Sequence, residues 1–393
     1  MAGSYIVAGA RTPIGKMSGA LASFSAADLG SIAIKAALER AGVSPNEVDH
    51  VIMGQVLMAG QGQVPSRQAA VKAGIPMNVP AINVNKVCLS GLNSIYLADQ
   101  MIQAGDADIV IAGGMESMTN APYIALGARG GFRYGNTELK DAIIADGLWC
   151  SFDSCLMGLG TERYTAGNIS RQQQDDLAMK SNQRAAAAIA AGRLADEIVS
   201  ISIPQRKGDP LVIANDEGVR AETTMESLGG LKPAFDKDGT ITAANASQLS
   251  DGGSAVVMMS ERFVKDRGIK ALGQVVSYGM VAGPDNASLL TQPSRAILKA
   301  LNKVGMKVSD INLFELNEAF ATVGIASMAD LGISDDIVNV NGGAIALGHP
   351  IGMSGNRVAL TILHELRRRG GGVGAAALCG GGGQGDAIIV RTV

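Results

Sequence analysis

Residues 89–114, LSGLNSIYLADQMIQAGDADIVIAGG, predict a helix that ends at Gly105, then a continuous apolar strand that runs into two glycines. Residues 353–380, MSGNRVALTILHELRRRGGGVGAAALCG, predict the same two elements in the same order, with the helix ending at Gly370. The two helices begin 264 positions apart in the sequence and end 265 positions apart. Because this separation is nearly constant, it indicates an internal duplication.

The duplication extends toward the N-terminal side of both stretches. A helical pattern that ends at Gly42 precedes the predicted strand 48–53, and another that ends at Gly305 precedes the predicted strand 311–316. Both pairs of elements are separated by 263 positions. The buried strands are continuous apolar runs, which is typical of a sheet covered by helices on both faces. We therefore predict an α/β fold in which two copies of one unit pack face to face in layers.

The two copies divide the chain into three parts. The first copy comprises residues 1–118 together with 249–270, and the second comprises residues 271–393. Residues 119–248 match neither copy and form an insertion, in which one helix is predicted over residues 172–192. We interpret the insertion as a lid or binding domain that shapes a pocket where corresponding loops of the two copies meet.

Composition excludes several classes of function. The chain has 393 residues, a formal net charge of −3 and no basic stripe, which argues against a nucleic-acid partner. No apolar stretch is long enough to span a bilayer, and the strand pattern at Tyr5 leaves no room for a signal peptide, so we expect a cytoplasmic protein. The four cysteines fit neither a disulfide framework nor a zinc site, so we expect a reducing compartment and no bound metal.

Cys88 lies where an extended apolar run meets the start of the helix predicted near Ser90. A helix N-terminus carries partial positive charge, so we expect the thiol to ionise more readily than its ordinary pKa of about 8.5 allows. The usual alternative is a buried cysteine that acts only as a small apolar side chain. The turn position favours a nucleophile that attacks an acyl group.

His349 is one of three histidines and the only one flanked by glycine and proline. The duplication assigns it to the turn equivalent to that of Cys88, from which it can take the thiol proton. The alternative is a turn histidine without a catalytic role. We interpret His50 as a residue at a strand edge and His364 as a solvated helix residue.

Cys379 opens a run of glycines over residues 380–385, and Asn317 follows a predicted strand of the second copy. The glycines match a dinucleotide fingerprint only weakly, because a strand pattern rather than a helix follows them. We expect them to present backbone N–H groups to a developing oxyanion, with the Cys379 thiol moving a proton beside them. Asn317 either joins this site or caps the next helix.

These residues fall in segments that resemble the sequence motifs of the thiolase family, in family order and over essentially the whole chain. The segments are residues 7–13, 85–91, 113–118, 317–321, 342–355 and 379–385. The resemblance implies a five-layered αβαβα fold with an inserted loop domain that binds coenzyme A. It also implies an acyltransferase that interconverts two acetyl-CoA with acetoacetyl-CoA and CoA by ping-pong Claisen chemistry.

The family pattern implies a role for each candidate residue. Cys88 would carry the acyl group as a thioester, and His349 would accept its proton. Cys379 would remove the α-proton of the second acetyl-CoA. Asn317 would hold a water that forms one oxyanion hole with His349, and the backbone N–H groups of Cys88 and Gly381 would form the other.

The resemblance also implies that the ligands are CoA thioesters, bound as substrates, with no tightly bound cofactor. The residues expected to contact the nucleotide and pantetheine are Arg220, Ser227 and Ser247, and those expected to line the pocket are Leu148, Met157, Phe235, Ala243, Ala319 and Phe320. The family further implies a homodimer or homotetramer. The chain departs from the family at Leu156, where biosynthetic members commonly carry histidine.

Three alternatives are open on the same residues. The apolar Leu156 favours a degradative 3-ketoacyl-CoA thiolase of fatty acid β-oxidation that accepts longer or branched chains. A condensing enzyme of the ketoacyl synthase type shares the fold but lacks a catalytic cysteine at the position of Cys379. A non-enzymatic acyl-CoA carrier would not need the Cys88 thiol.

Overall fold

The structure is a computed structural model that describes residues 3–393 and begins with the first copy of the duplicated unit. The elements of that copy are β1 (Ser4–Arg11), β2 (Gly15–Lys16), α1 (Ala26–Ala41), β3 (His50–Gly54), α2 (Pro65–Lys72), β4 (Ala81–Val84), α3 (Ser90–Ala104) and β5 (Ile109–Ser117). Gly42 and Gly105 cap α1 and α3 with left-handed φ values of +63° and +80°. Glycine adopts this conformation without strain, so both helices end where the sequence predicts.

The segment between the copies contains short elements and one long helix. Its elements are β6 (Tyr123–Ile124), β7 (Lys140–Asp141), β8 (Trp149–Cys150), β9 (Cys155–Leu156), α4 (Met157–Thr165), α5 (Arg171–Ala190), β10 (Ile201–Ile203), β11 (Leu211–Ile213) and α6 (Met225–Gly229). The long helix α5 begins after Ser170, whose hydroxyl accepts from the Gln173 N–H in a capping box. It lies within two residues of its predicted bounds.

The second copy follows β12 (Ser250–Ser260) and α7 (Glu261–Asp266), which complete the first copy. Its elements are β13 (Gly273–Ala282), α8 (Gln292–Lys303), β14 (Leu313–Leu316), α9 (Ala321–Leu331), α10 (Ala344–Leu347), α11 (Ser354–Arg368), β15 (Val373–Gly380) and β16 (Gln384–Thr392). The strand predicted after the glycine run is therefore present and begins at Gln384.

The long strands of both copies belong to one ten-stranded sheet. Its order is β4-β3-β5-β12-β1-β13-β16-β15-β14, with β2 added beside β12. The same relative order occurs in each copy, as β3-β5-β12-β1 and as β14-β15-β16-β13. In both sets the first pair is parallel and the other two pairs are antiparallel. The predicted duplication is therefore confirmed.

The two half-sheets are joined through backbone hydrogen bonds, a feature that the sequence did not predict. β1 and β13 pair in antiparallel fashion, and the paired residues are Tyr5 with Gln274 and Ile6 with Gly273. This contact covers only two residue pairs, so the half-sheets remain distinct layers on either side of it.

Helices α3 and α11 pack against each other between the half-sheets of the two copies. One apolar core contains side chains of both helices and of strands from both copies, among them Ile95, Leu363, Val110 and Ile388. The outer face of the first half-sheet is covered by α1 and α2, and that of the second is covered by α8. The order helix, sheet, helix, sheet, helix confirms the predicted five layers.

The segment between the copies is anchored on both of them. Its helix α5 packs against α9 and α10 of the second copy. In the first copy, the buried guanidinium of Arg11 pairs with Glu197 at 2.7 Å and with Asp216 at 2.6 Å. The end of β5 at Ser117 and the start of β12 at Ser250 agree with the proposed three-part division, which remains our interpretation.

None of the helices within residues 3–393 combines the length and the hydropathy that crossing a membrane requires. The same residues contain no group of three or more histidine, cysteine, aspartate or glutamate side chains arranged to hold a metal ion. Each of the four cysteines is a free thiol.

Candidate active site

Cys88 lies in a tight turn between β4 and α3. The preceding residue, Val87, has a φ of +51°, a left-handed conformation that is strained for a β-branched side chain. Two side chains hold the turn: Asn85 Oδ1 accepts from the Val87 N–H at 3.1 Å, and Ser90 Oγ accepts from the Lys86 N–H at 2.8 Å. The turn therefore fixes the direction of the Cys88 side chain.

The Cys88 thiol is buried, with 4% of the residue exposed. Its apolar cluster contains Val56, Leu57, Met118, Ile143 and Ile351. Burial raises the Cys88 pKa to about 12, because a thiolate loses its solvation in these surroundings. The prediction that the helix terminus would make this thiol ionise readily is wrong, since desolvation outweighs the helix dipole. The resting thiol is neutral.

Glu116, on β5, is a buried carboxyl group near the Cys88 turn that sequence reasoning missed. Its oxygens accept hydrogen bonds from the N–H groups of Val56 at 3.0 Å, Leu57 at 3.1 Å and Gly352 at 3.0 Å. Burial raises its pKa to about 7 against the effect of these donors. Through these hydrogen bonds, Glu116 connects the loop after β3 in the first copy to the turn of the second copy that contains His349. The signal for it is a lone glutamate in an otherwise apolar buried strand.

His349 lies in the second copy, in the turn equivalent to that of Cys88. Its backbone N–H donates to the Gln248 carbonyl at 3.1 Å, and its Nδ1 lies 2.6 Å from Ser354 Oγ. Because the Ser354 hydroxyl donates to the Pro350 carbonyl at 3.0 Å, it accepts from Nδ1–H, which leaves Nε2 unprotonated. Burial lowers the His349 pKa to about 3, so the imidazole is neutral and Nε2 can act as a base.

Asn317 follows β14 and its amide faces His349. Its Nδ2 lies 3.5 Å from His349 Nε2, at the outer limit of a hydrogen bond. Its Oδ1 is buried and has no hydrogen-bond partner among residues 3–393, so it can accept from a water or a polar ligand atom. The alternative of a helix cap is wrong, because α9 begins at Ala321 and Phe320 occupies its N-cap position.

Cys379 lies near the end of β15 and is fully buried. Its apolar cluster contains Cys150, Met157, Leu289 and Ala319. Burial raises the Cys379 pKa above the ordinary value of a thiol, and the negative charge of an ionised Cys88 raises it further. Both thiols are therefore neutral at rest.

The glycine run that begins at Gly380 packs directly against the turn that holds Cys88. A Cβ atom at Gly380 would lie 2.5 Å from Leu89 Cγ, and one at Gly381 would lie 3.0 Å from Val87 Cγ2. A side chain at Gly380 would therefore force the two segments apart. A strand, β16, follows the run, so these glycines do not form a dinucleotide fingerprint.

A cavity of about 380 Å³ opens beside His349, and we call it the apolar cavity because apolar side chains form most of its wall. The residues of its wall that sequence reasoning assigned to the substrate are Leu148, Met157, Phe235, Ala243, Ser247, Ala319 and Phe320. Leu156 lines the same cavity. The rings of Phe235 and Phe320 meet edge to face with centroids 6.1 Å apart, which fixes the shape of one wall.

A second cavity, of about 290 Å³, is lined by Arg220 and Ser227, and we call it the polar cavity. It shares Ala243 and Gln248 with the apolar cavity, so the two spaces adjoin. The Ser227 hydroxyl already donates to the Thr224 carbonyl at 2.8 Å at the start of α6. Arg220 is exposed, so its guanidinium can meet a charged ligand group at the outer end of the combined space.

Comparison with known proteins gives a family for this fold and site. The model of the thiolase N-terminal domain matches residues 4–262, and that of the thiolase C-terminal domain matches residues 269–392. The chain belongs to the thiolase family. The resemblance inferred from the sequence motifs is therefore confirmed.

Several named relatives and one solved structure are similar to this chain over nearly their full length. The probable acetyl-CoA acetyltransferase of Mycolicibacterium smegmatis is 54% identical over 98% of this chain and 100% of the relative. The acetyl-CoA acetyltransferase of Cupriavidus necator is 50% identical over 98% of both chains. The crystal structure of human mitochondrial 3-ketoacyl-CoA thiolase shares 39% identity with a TM-score of 0.95, covering 100% of this chain and 99% of that one.

The predicted site residues of this thiolase form two groups. The first group comprises Cys88, His349, Cys379, Asn317 and Gly381. Of these, His349 lines the apolar cavity and Asn317 lies beside its ring. Each thiol belongs to an apolar cluster that includes residues of the cavity wall, and Gly381 packs against the Cys88 turn. Arg220 and Ser227 line the polar cavity instead, where they are separated from His349 by the residues that the two cavities share. The roles of both groups remain predictions.

The other two histidines of this thiolase lie outside both cavities. His50 is the first residue of β3, and its Nδ1 lies 3.1 Å from the Pro80 carbonyl oxygen. Because β3 pairs with both β4 and β5, His50 lies at the end of an interior strand and not at a sheet edge. His364 lies on α11 and is partly buried, and burial lowers its pKa. The prediction of a solvated His364 is wrong because α11 belongs to the central layer, where few helix positions face solvent.

Proposed function

We propose that this thiolase interconverts two molecules of acetyl-CoA with acetoacetyl-CoA and CoA, with the acyl group carried on Cys88. The observation that carries the proposal is the neutral His349 imidazole, whose unprotonated Nε2 supplies a base in the wall of the apolar cavity. Relatives named acetyl-CoA acetyltransferase, at 54% and 50% identity, support the choice of acyl group.

The first half-reaction transfers the acetyl group to the enzyme. Cys88 Sγ attacks the carbonyl carbon of acetyl-CoA, and the thiol proton passes to His349 Nε2. The carbon–sulfur bond to CoA then breaks, and the leaving thiolate takes that proton to give free CoA. Since burial raises the Cys88 pKa to about 12, the proton moves during the attack and not before it.

The second half-reaction forms the carbon–carbon bond. The Cys379 thiol gives its proton to His349 Nε2, and the resulting thiolate removes a proton from the methyl carbon of a second acetyl-CoA. The enolate carbon forms a bond to the carbonyl carbon of the acetyl group on Cys88, and the bond between this carbonyl carbon and Cys88 Sγ breaks. Cys88 recovers its proton from His349, and acetoacetyl-CoA leaves. All three groups return to their neutral resting forms.

Two sets of donors stabilise the negative charge that develops on oxygen in these steps. A water that donates one hydrogen to the buried Asn317 Oδ1 can donate its other hydrogen to the thioester oxygen, together with the protonated His349. The backbone N–H groups of Cys88 and Gly381 form the second set, and the close packing of Gly381 against the Cys88 turn supports this assignment. Each such donor accelerates catalysis by about 10²- to 10³-fold.

The CoA portion would extend from the apolar cavity into the polar cavity. In this arrangement pantetheine passes Ser247 and Ala243, and the nucleotide reaches Arg220 and Ser227. The scheme uses CoA thioesters as substrates and calls for no tightly bound cofactor or metal ion, because thiols and an imidazole carry every proton.

A broader 3-ketoacyl-CoA thiolase of fatty acid β-oxidation is the second candidate. The observation in its favour is Leu156, which gives the apolar cavity an aliphatic wall. Together with Leu148 and Met157 it forms a surface suited to a longer or branched acyl chain. The human mitochondrial 3-ketoacyl-CoA thiolase, at 39% identity, has the same fold.

Steady-state thiolysis separates these two candidates. Purified protein is assayed with acetoacetyl-CoA and with 3-ketooctanoyl-CoA at the same concentration of CoA. We expect a higher kcat/KM for acetoacetyl-CoA. An equal or higher value for the longer chain would overturn the first proposal in favour of the second, and failure to cleave either substrate would contradict both.

Labelling with radioactive acetyl-CoA distinguishes a thiolase from the other two candidates, a condensing enzyme and a non-enzymatic carrier. A condensing enzyme of the ketoacyl synthase type would not depend on Cys379, and a non-enzymatic carrier would release no CoA from acetyl-CoA. We expect Cys379→Ala to retain label on the protein from radiolabelled acetyl-CoA and to lose condensation. Condensation at the parental rate in this variant would refute the role given to Cys379.

We also propose that the chain acts as a homodimer or homotetramer in the cytoplasm. β4 ends the main sheet with one edge unpaired by any strand of residues 3–393, and large apolar side chains such as Phe132 and Leu139 are exposed. Both features support burial between copies. Light scattering on the purified protein and fractionation of cells that express it test the two statements. A monomer, or recovery with membranes, would contradict them.

A further inference from the structure

Lys86 and Asp386 form an ion pair that the mechanism above does not use. Lys86 Nζ lies 2.7 Å from Asp386 Oδ1 and 3.0 Å from Oδ2. Lys86 stands two residues before Cys88 in the first copy, and Asp386 stands on β16 just after the glycine run that follows Cys379. The pair therefore connects the two segments that carry the thiols, although its members are 300 positions apart in sequence.

The pair is shielded from water and supported by neighbouring groups. The side chain of Lys86 is 21% exposed and that of Asp386 is 0% exposed. Tyr278 OH donates to Asp386 Oδ2 at 2.7 Å, and Asn93 Nδ2 lies 3.4 Å from the same oxygen. The Tyr278 ring stacks on Tyr96 of α3 with centroids 4.7 Å apart. The pair therefore has a defined geometry, which exposed ion pairs lack.

Lys86 is positioned to restrain the turn that contains Cys88. Its backbone N–H donates to Ser90 Oγ at 2.8 Å, and the next residue, Val87, has the strained φ of +51°. A strained turn persists only when its surroundings over-determine its conformation. The Lys86 side chain adds a restraint from the other copy, because its partner lies on a buried strand of that copy.

We propose that Lys86 and Asp386 are positioning residues that fix the Cys88 turn relative to Cys379 and its glycine run. The inference rests on the proposed two-thiol function and deepens it. Acylation requires Cys88 and His349, whereas condensation also requires Cys379 at the correct distance from the acyl group. Loosening the pair should therefore impair condensation more than acylation.

The His349 turn keeps a separate connection to the first copy. Glu116 accepts from the Gly352 N–H at 3.0 Å and from the Val56 N–H at 3.0 Å, and neither contact involves the ion pair. Removal of the ammonium leaves this connection intact. It also leaves the buried Asp386 carboxylate without the Lys86 ammonium, and burial already raises the pKa of this carboxyl group. We therefore expect β16 beside the glycine run to lose its preferred arrangement.

The variant Lys86→Met removes the ammonium and keeps the apolar stem. Acylation is measured as isotope exchange between acetyl-CoA and labelled CoA, and condensation as the formation of acetoacetyl-CoA. We expect the kcat of condensation to fall on the order of 10- to 100-fold, with exchange and KM changed less than about threefold. Asp386→Asn keeps the shape of the side chain and should show the same pattern with a smaller loss, so it replaces Lys86→Met if that variant does not fold.

The double variant tests whether the two residues act as a pair, and the difference between exchange and condensation separates positioning from a purely structural role. Because Lys86→Met leaves an unpaired buried carboxylate, adding Asp386→Asn should restore part of the condensation rate instead of multiplying the two losses. Lys180→Met is the matched control. It removes the ion pairs of a partly exposed lysine of α5 with Asp176 and with Asp335, each at 2.9 Å, and should change neither rate.

Two results would overturn the proposal. One is an equal loss of exchange and condensation accompanied by lower thermal stability, which would mean that the pair only supports folding. The other is parental rates in both single variants. Absence of exchange in the parent protein would contradict the proposed function itself, so the two failures are distinguishable.

Discussion

The turns that carry Cys88 and His349 occupy equivalent positions in the two copies. They differ in the group from which the corresponding serine accepts a hydrogen bond. Ser90 and Ser354 are 264 positions apart and begin the equivalent helices α3 and α11. Each serine donates its hydroxyl to a carbonyl of the preceding turn, at 2.6 Å and 3.0 Å respectively. Ser90 accepts from a backbone N–H, whereas Ser354 accepts from the His349 ring.

The difference explains how a duplicated fold can hold an asymmetric site. In the first copy the serine stabilises a strained backbone that directs a thiol, and in the second copy it fixes the tautomer of a base. Because the turns meet where the copies pack together, the proposed mechanism takes the group that is acylated from one copy and the group that moves its proton from the other. Neither copy contains a complete set.

The strongest test of this comparison removes the nucleophile from one turn only. Cys88→Ser should lower the kcat of condensation by at least about 10⁴-fold, since a serine hydroxyl is a far weaker acid than a thiol and gives no thioester. Mass spectrometry after incubation with acetyl-CoA should detect an acetyl adduct on the parent protein and none on the variant. An adduct of equal yield would move the acyl group to another residue.

Removing the base from the other turn should have the next largest effect. His349→Ala should slow both isotope exchange and condensation on the order of 10²- to 10⁴-fold, because no other neutral imidazole reaches the thiols. His364→Ala is the matched control, since it deletes a partly buried histidine outside both cavities. It should leave both rates near the parental values. Loss of condensation alone in His349→Ala would confine the histidine to the second half-reaction.

The corresponding serines allow the sharpest contrast between the turns. Ser354→Ala should lower kcat on the order of 10- to 100-fold with little change in stability, because Nδ1 loses the acceptor that fixes the tautomer. Ser90→Ala should instead lower the free energy of unfolding by about 1–3 kcal/mol, because the Lys86 N–H loses its partner. Chemical unfolding and steady-state kinetics on both variants distinguish these outcomes, and identical behaviour of the two serines would remove the contrast.

Much of this molecule could be predicted because its signals are local. The ends of α1 and α3 follow from glycines, the layers follow from apolar runs and their constant separation, and the candidate residues Cys88 and His349 stand in unusual turns. The contacts of Glu116 with Gly352 and of Lys86 with Asp386 could not be predicted, since they join residues 236 and 300 positions apart. No local pattern specifies such partners.

The prediction that the Cys88 thiol ionises readily is wrong for the same reason, because it used only the local sequence. A helix N-terminus can be seen in a short stretch of sequence, but burial depends on how Val56, Met118, Ile143 and Ile351 converge on the sulfur. Burial, which depends on residues distant in sequence, raises the Cys88 pKa, although the helix N-terminus seen in the sequence predicts a lower one. The proposed mechanism therefore starts from a neutral thiol, whose proton moves to His349 during the attack.

Burial of His349 predicts that stability depends on pH. Its pKa is lowered to about 3 in the folded protein and returns to about 6.5 in the unfolded chain. Below pH of about 6.5 the unfolded state binds an additional proton, so the free energy of unfolding decreases by up to about 1.4 kcal/mol per pH unit as the pH falls.

The variant His349→Asn lacks this proton and should lose stability less steeply between pH 7 and pH 5, as measured by urea unfolding. The comparison of parent and variant separates this histidine from Glu116, whose raised pKa of about 7 acts in the opposite direction over the same range. Parallel pH profiles for the two proteins would mean that His349 is not held in the neutral form.

The insertion supplies a wall that neither turn provides, and Leu156 tests whether that wall selects the acyl chain. Leu156→His places a polar ring in the apolar cavity, and an alkyl chain packed against it would leave the ring poorly solvated. We expect kcat/KM for 3-ketooctanoyl-CoA to fall about tenfold relative to that for acetoacetyl-CoA. Leu126→His, at an exposed position of the insertion, is the matched control and should leave this ratio unchanged. An unchanged ratio in Leu156→His would mean that other residues of the apolar cavity select the chain.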